Sequence, residues 1–165
     1  MNKNDEWFTP KWVIDKVYKV LGSIDLDPAS NVEANKIVGA SNIYTIEDNG
    51  LEKEWRGRVY MNPPYSAKLL KQFLNKAVEE YTCGNISECL ILTNSGTDTL
   101  WNKILREYIQ AYTQGRISFI CGETLKEKGK GSRGQCMTYI GKNANKFIQE
   151  FSSDETFWIP NLGLI

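Results

Sequence analysis

At 165 residues the chain has the length of one domain with one sizeable core, and 20 Lys+Arg against 20 Asp+Glu leave no net charge to draw it as a whole to a polyanion. The absence of histidine excludes histidine-based triads and the common histidine metal sites, and four cysteines without a CxxC pair read as buried thiols, not as zinc ligands or a disulfide framework. No apolar run approaches a membrane span and MNKNDEW lacks the pattern of a signal peptide, so a cytoplasmic protein with no membrane partner and no metal is expected.

In chain order, strands alternate with helices. Thr9 before Pro10 predicts a capped helix start, and Val13, Val17, Val20 and Leu21 then recur at helical spacing up to Gly22. SIDLD (23–27) alternates like a short strand. S-N-V-E (30–33) has the spacing of a capping box and predicts a second helix opening at Ser30. RVYM (58–61) reads as a buried strand, Leu70, Phe73, Leu74, Ala77, Val78 and Tyr81 as one helical stripe, and ECLILTN (88–94) as a second buried strand. Leu100, Trp101, Ile104, Leu105, Tyr108 and Ile109 predict a further amphipathic helix. RISFI (116–120) and QCMTYI (135–140) read as strands, and Phe147, Ile148 and Phe151 as a terminal helix. Such alternation implies an α/β fold, a mostly parallel sheet with helices on both faces.

In open α/β sheets ligands bind beyond the carboxyl ends of strands, and two unusual turns fall at such places: DLDPAS (25–30) and NPPY (62–65). No GxGxxG follows a predicted strand and no GxxxxGK[ST] occurs, which argues against a nicotinamide dinucleotide and a P-loop nucleotide. Pro63 and Pro64 lack N–H groups and have fixed φ, so carbonyls at that turn can be held outward with no local donor competing for them. Asn62 adds a side-chain carbonyl. Two convergent acceptors suit a planar NH₂ group, and Tyr65 offers a face for a flat heteroaromatic ring. Hydrogen bonds to both amine hydrogens favour a pyramidal nitrogen with a free lone pair, a chemistry that needs neither covalent nucleophile nor strong base. A basic loop, GETLKEKGKGSRG (122–134), carries Lys126, Lys128, Lys130 and Arg133 and is the best candidate for a local patch that binds a polyanion.

These motifs together resemble the phage-type DNA N6-adenine methyltransferases, the Dam-type family. The resemblance rests on DEWFTP (5–10), IDLDPAS (24–30), EDNGL (47–51) with Trp55, GRVYMNPPYS (57–66), TDTLW (97–101), GRISF (115–119) and the strand ending in Tyr139-Ile140-Gly141. It implies a single domain over 1–165 with a Rossmann-like methyltransferase fold, S-adenosylmethionine as methyl donor and an adenine flipped from double-stranded DNA as acceptor. Carried over, Asn62 and Pro63 offer carbonyls to the adenine amine, Pro64 shapes the turn and Tyr65 stacks on the base. Trp7, Phe8, Thr9 and Pro10 close over the methionine end of the cofactor. Asp25, Asp27, Pro28 and Ala29 form its main turn, and Asp48 reaches its ribose or adenine. The basic loop holds DNA phosphates, with Thr97, Asp98 and Thr99 lining the same cleft. Other planar amines, namely cytosine N4, RNA adenine and protein glutamine, fit the same device, and an inactive DNA-binding module is the alternative from another class.

Overall fold

The computed structural model describes residues 7–127 and 133–160. Strand β1 (Trp7–Phe8) leads into helix α1 (Lys11–Leu21), which starts at extended Pro10 and stops where the Gly22 N–H, at φ 80°, donates to the Tyr18 carbonyl at 2.7 Å. Thr9 does not cap this helix as its position predicts; its hydroxyl is buried 2.7 Å from that of Tyr60. The stripe Val13, Ile14, Val17, Val20 and Leu21 is buried. Strand β2 (Leu26–Asp27) is shorter than SIDLD suggests, and α2 (Val32–Val38) begins one residue later than the capping box implies. Asn31, not Ser30, is the cap: its Oδ1 accepts the Ala34 N–H at 2.8 Å, while the Ser30 N–H is taken by the Tyr44 carbonyl.

Next come β3 (Asn42–Ile43), β4 (Gly57–Met61), α3 (Ala67–Thr82) and β5 (Ile86–Asn94). The helix predicted from Leu100 to Ile109 shrinks to one turn, α4 (Asn102–Leu105), and Leu100 is exposed. Ile109 instead opens a strand, β6 (Ile109–Thr113), because the sheet offers it a partner. Of RISFI only its last residue joins a strand, β7 (Ile120–Cys121), although Ile117 and Phe119 are buried. Strand β8 (Gln135–Ile140), helix α5 (Ala144–Phe151) and β9 (Phe157–Trp158) complete the described chain. Cys89, Cys121 and Cys136 are buried as expected; Cys83, at the end of α3, is exposed.

The main sheet has the order β3-β2-β4-β5-β8-β6-β9. Its first four strands are parallel neighbours, whereas β8 is antiparallel to both β5 and β6, and β9 to β6. The expected mostly parallel sheet is therefore parallel on one side and antiparallel in its pairing on the other, where β6 returns as β8 with no crossover helix. Period-two alternation splits each strand between two cores. Tyr60, Leu90, Leu92, Met137 and Tyr139 pack with the apolar faces of α1 and α5, and Val59, Met61, Cys89, Ile91 and Ile140 pack with α3 and Trp55. Helices thus cover both faces. On the first face Phe147 lies between Tyr139 and Phe151 at centroid distances of 5.7 and 4.6 Å, stacking worth roughly 1 kcal/mol per pair beyond burial. Over the Phe151 ring, Lys16 of α1 reaches Asp154 at 2.7 Å and Glu150 at 3.4 Å.

Candidate active site

The chain leaves β2 for β3 on one side and re-enters the sheet as β4 on the other, so the crevice beyond the carboxyl ends of β2 and β4 is a topological switch point. Leu26 pairs with Val59, which sets Asp27 beside Tyr60 at that end, with Pro28 and Asn62 just beyond. The two turns singled out in the sequence therefore meet.

Asn62 is the centre of this end. Its Nδ2 donates to the Trp7 carbonyl at 3.3 Å and to Thr9 Oγ1 at 3.4 Å, and its Oδ1 accepts from the Tyr65 hydroxyl at 2.8 Å. Both ends of the amide are thereby specified, since turning it over would set its oxygen against the Trp7 carbonyl. A carbonyl oxygen has two lone pairs, so Oδ1 keeps capacity for one more donor. Asn62, Pro64 and Tyr65 are half-buried and Pro63 is buried. Burial pushes the Tyr65 phenol above its ordinary range, which keeps it a donor to Asn62. Thr9 continues the network to Tyr60, whose phenol is held protonated by burial, against the Thr9 hydrogen bond and reinforced by nearby Asp27 and Tyr65. WFTP and NPPY are thus one hydrogen-bonded unit.

Asp27 is 4% exposed, and burial pushes its carboxyl up to about 7, opposed by the Ala29 N–H and the Ser30 hydroxyl. The Ala29 N–H reaches its Oδ1 at 3.2 Å, and no cation pairs with it among the described residues. Gly50 fixes the wall beside it: a Cβ there would stand 2.1 Å from the Pro28 carbonyl oxygen, so only glycine lets the EDNGL turn lie against the DPA turn. The Trp55 indole N–H, donating to the Gly50 carbonyl at 2.8 Å, anchors that turn to the core. Asp48 is exposed, and its Oδ2 accepts the N–H and the hydroxyl of Thr45, each at 2.8 Å; these bonds hold its carboxyl below the usual range. Asp25 stands apart. It precedes β2, and its carboxylate accepts the Arg58 N–H at 2.8 Å and the Ser23 hydroxyl at 3.1 Å, which ties it to the beginning of β4, away from Asn62. A groove of about 360 Å³ lies there too, lined by Asp25, Asn42, Glu54, Arg56 and Gly57, so it opens at the opposite end of the strands from the NPPY turn.

The basic loop is rooted at the same end as Asn62. On one side β7 pairs with β1, with Cys121 opposite Trp7; on the other, Gln135 pairs with Asn94 at the end of β5, and the Ser95 N–H donates to the Gly134 carbonyl at 2.9 Å. Lys126 and Arg133 are exposed, and Lys128 and Lys130 lie outside the described residues. Thr97, Asp98 and Thr99 form a turn after β5, also at this end. The Thr99 hydroxyl is used to close that turn on the Gly96 carbonyl at 2.5 Å, leaving Thr97 and Asp98 exposed. Two further residues escaped the sequence reading. Tyr60 sat within RVYM as an apolar strand residue, although a buried tyrosine hydroxyl needs a partner and so points to a polar neighbour. Gln135, 2% exposed, accepts the Ile117 N–H at 3.0 Å and donates to the Arg133 carbonyl at 2.6 Å, fixing where the loop re-enters the sheet; no local pattern marks it.

The α/β sheet thus carries a clamped amide and a Pro-Pro turn at its switch point. The DNA N-6-adenine-methyltransferase (Dam) family model matches residues 1–159, and the chain belongs to that family. It is similar to a DNA N-6-adenine-methyltransferase of Escherichia phage T1, 29% identical over 173 residues that cover 94% of this chain and 68% of the relative. Among the described residues no helix is long and apolar enough to cross a membrane.

Proposed function

We propose that this chain transfers a methyl group from S-adenosylmethionine to the N6 amine of an adenine rotated out of double-stranded DNA. The clamp on Asn62 carries the reading. An amide whose nitrogen is occupied by Trp7 and Thr9 presents a fixed acceptor, and the carbonyl of Pro63, the next residue, would supply the second that a two-hydrogen amine needs. A Rossmann-like arrangement is supported by the switch point between β2 and β4 and by the helices on both faces.

The residues of the crevice fit the cofactor. Asp27 is a buried carboxyl without a cationic partner among the described residues, and Phe8, Thr9 and Pro10 are buried beside the same end of the sheet. Asp27, Pro28 and Ala29 would hold the cofactor from one side and Trp7 to Pro10 from the other, with Asp48 at the edge of the turn that abuts Pro28. When bound, S-adenosylmethionine supplies an electrophilic methyl on a positively charged sulfur.

The chain's own contribution is positioning and polarisation. Asn62 Oδ1 and the Pro63 carbonyl accept the two amine hydrogens, draw the nitrogen toward a pyramidal shape and stabilise the positive charge it gains as it takes the methyl. Neither carbonyl is basic enough to keep the proton the nitrogen then sheds, so that proton leaves to solvent. The Tyr65 ring stacks on the base, and its hydroxyl holds Oδ1 in place. Lys126 and Arg133, joined by Lys128 and Lys130, would contact phosphates, which makes 122–134 the DNA-contacting loop of the domain. Incubation with tritiated S-adenosylmethionine and duplex DNA, RNA or protein, followed by nucleoside analysis, should place the label in N6-methyladenine of DNA. Label in N4-methylcytosine, in RNA or in protein, or none in any of them, would refute the assignment.

A further inference from the structure

Two non-glycine residues among those described have a positive φ, Asn49 at 54° and Leu125 at 53°. Asparagine tolerates this left-handed conformation because its short polar side chain can bond locally; leucine does not, and persists there only when its surroundings impose it. The surroundings are a closed turn. The Leu125 N–H donates to the Cys121 carbonyl at 2.8 Å, the Cys121 N–H to the Lys126 carbonyl at 3.0 Å, and Ile120 bridges Glu127 beyond them. The strain is not compensated by burial, because Leu125 is 60% exposed. A hydrogen-bonded turn with a positive φ thus holds an apolar side chain in water, where glycine or asparagine would accept the backbone and any polar residue the solvent.

The turn is rooted beside the site. Cys121, at its root, pairs with Trp7, whose carbonyl holds the Asn62 amide. Lys126 follows Leu125 directly, and Arg133 is exposed where the loop returns to the sheet beside Asn94. An adenine leaving the duplex opens a gap in the stack, and apolar side chains inserted at a base step offset that cost. Resting on the DNA-methylation reading above, we infer that Leu125 is the wedge that enters the duplex where the target adenine has left, with Lys126 on the adjacent phosphate.

Leu125→Gly and Leu125→Asn both accept the local φ, so their thermal midpoints should not fall below that of the unsubstituted protein. Single-turnover methylation is measured on a duplex with a paired target adenine and on one whose target faces an abasic site. Leu125 variants should lose about tenfold or more on the first and stay within about threefold on the second, where no pair need be broken. A 2-aminopurine placed at the target should brighten with the unsubstituted protein and stay dark with the variants. Equal rates on the paired duplex, equal losses on both duplexes, or a selective loss on the paired duplex in Leu100→Asn but not in the Leu125 variants would overturn the assignment. An unsubstituted protein that methylates neither duplex removes the underlying reading, and the wedge with it.

Discussion

Replacing Asp27 with asparagine should change the dependence of stability on pH in a direction the burial dictates. The carboxyl has an ordinary value of 3.8 and is pushed up to about 7 in the fold. Below pH ~4 both folded and unfolded chains carry the proton, and the group's contribution is fully present. Between pH ~4 and ~7 the unfolded chain ionises while the folded chain keeps its proton, so stability falls as pH rises and levels off above the folded value. At 1.36 kcal/mol per unit, a shift from 3.8 to about 7 corresponds to roughly 4 kcal/mol lost by neutral pH. Asparagine cannot ionise, so Asp27→Asn should gain on the unsubstituted protein by about 3 kcal/mol from pH 4.5 to pH 8. Urea denaturation of both proteins across that range isolates the difference from the other carboxylates. S-adenosylmethionine, which is positively charged at sulfur, should favour the ionised form, so its affinity should strengthen with pH through about 7 in the unsubstituted protein and not in Asp27→Asn. A stability difference that is flat with pH would refute the reasoning.

Thr9→Val removes the hydroxyl that partners Tyr60 and leaves a buried phenol unpaired, which should lower stability by about 1–3 kcal/mol in urea denaturation. A loss below about 0.5 kcal/mol would mean that the Tyr60 hydroxyl finds another partner. Lys126→Ala and Arg133→Ala should each weaken DNA binding about equally for all sequences and reduce the slope of log affinity against log salt by about 1 in fluorescence titrations. Unchanged slopes would take these residues off the phosphates.

What was legible in the sequence was what is local. NPPY follows its strand, and the Asn62–Tyr65 contact spans three residues, so the turn alone announces a rigid acceptor. The partners that orient Asn62 lie 55 and 53 residues away, at Trp7 and Thr9, and no periodicity links them; the family resemblance placed both motifs in one enzyme but not in one hydrogen-bonded unit. Thr9 illustrates the cost of local rules, since a good cap by pattern is spent on a long-range bond to Tyr60. The helix expected from Leu100 to Ile109 failed because apolar spacing cannot say that Ile109, Ala111 and Tyr112 will pair with β8. Strands β3 and β9, of two residues each, are too short to show any period. Asp25 and Asp27 look equivalent in IDLDPAS, yet they fall at opposite ends of a short strand, so that one accepts the Arg58 N–H at the start of β4 and the other lies buried at the carboxyl end, beside Tyr60.

Asn62→Ala, followed by kcat on duplex DNA and by calorimetric S-adenosylmethionine affinity, interrogates the clamped amide itself. Loss of one preorganised acceptor should lower kcat by about 10²- to 10³-fold, on the order of 3–4 kcal/mol, while cofactor affinity changes by less than about threefold. Unchanged turnover, or equal losses in turnover and in cofactor affinity, would contradict the role assigned to Asn62.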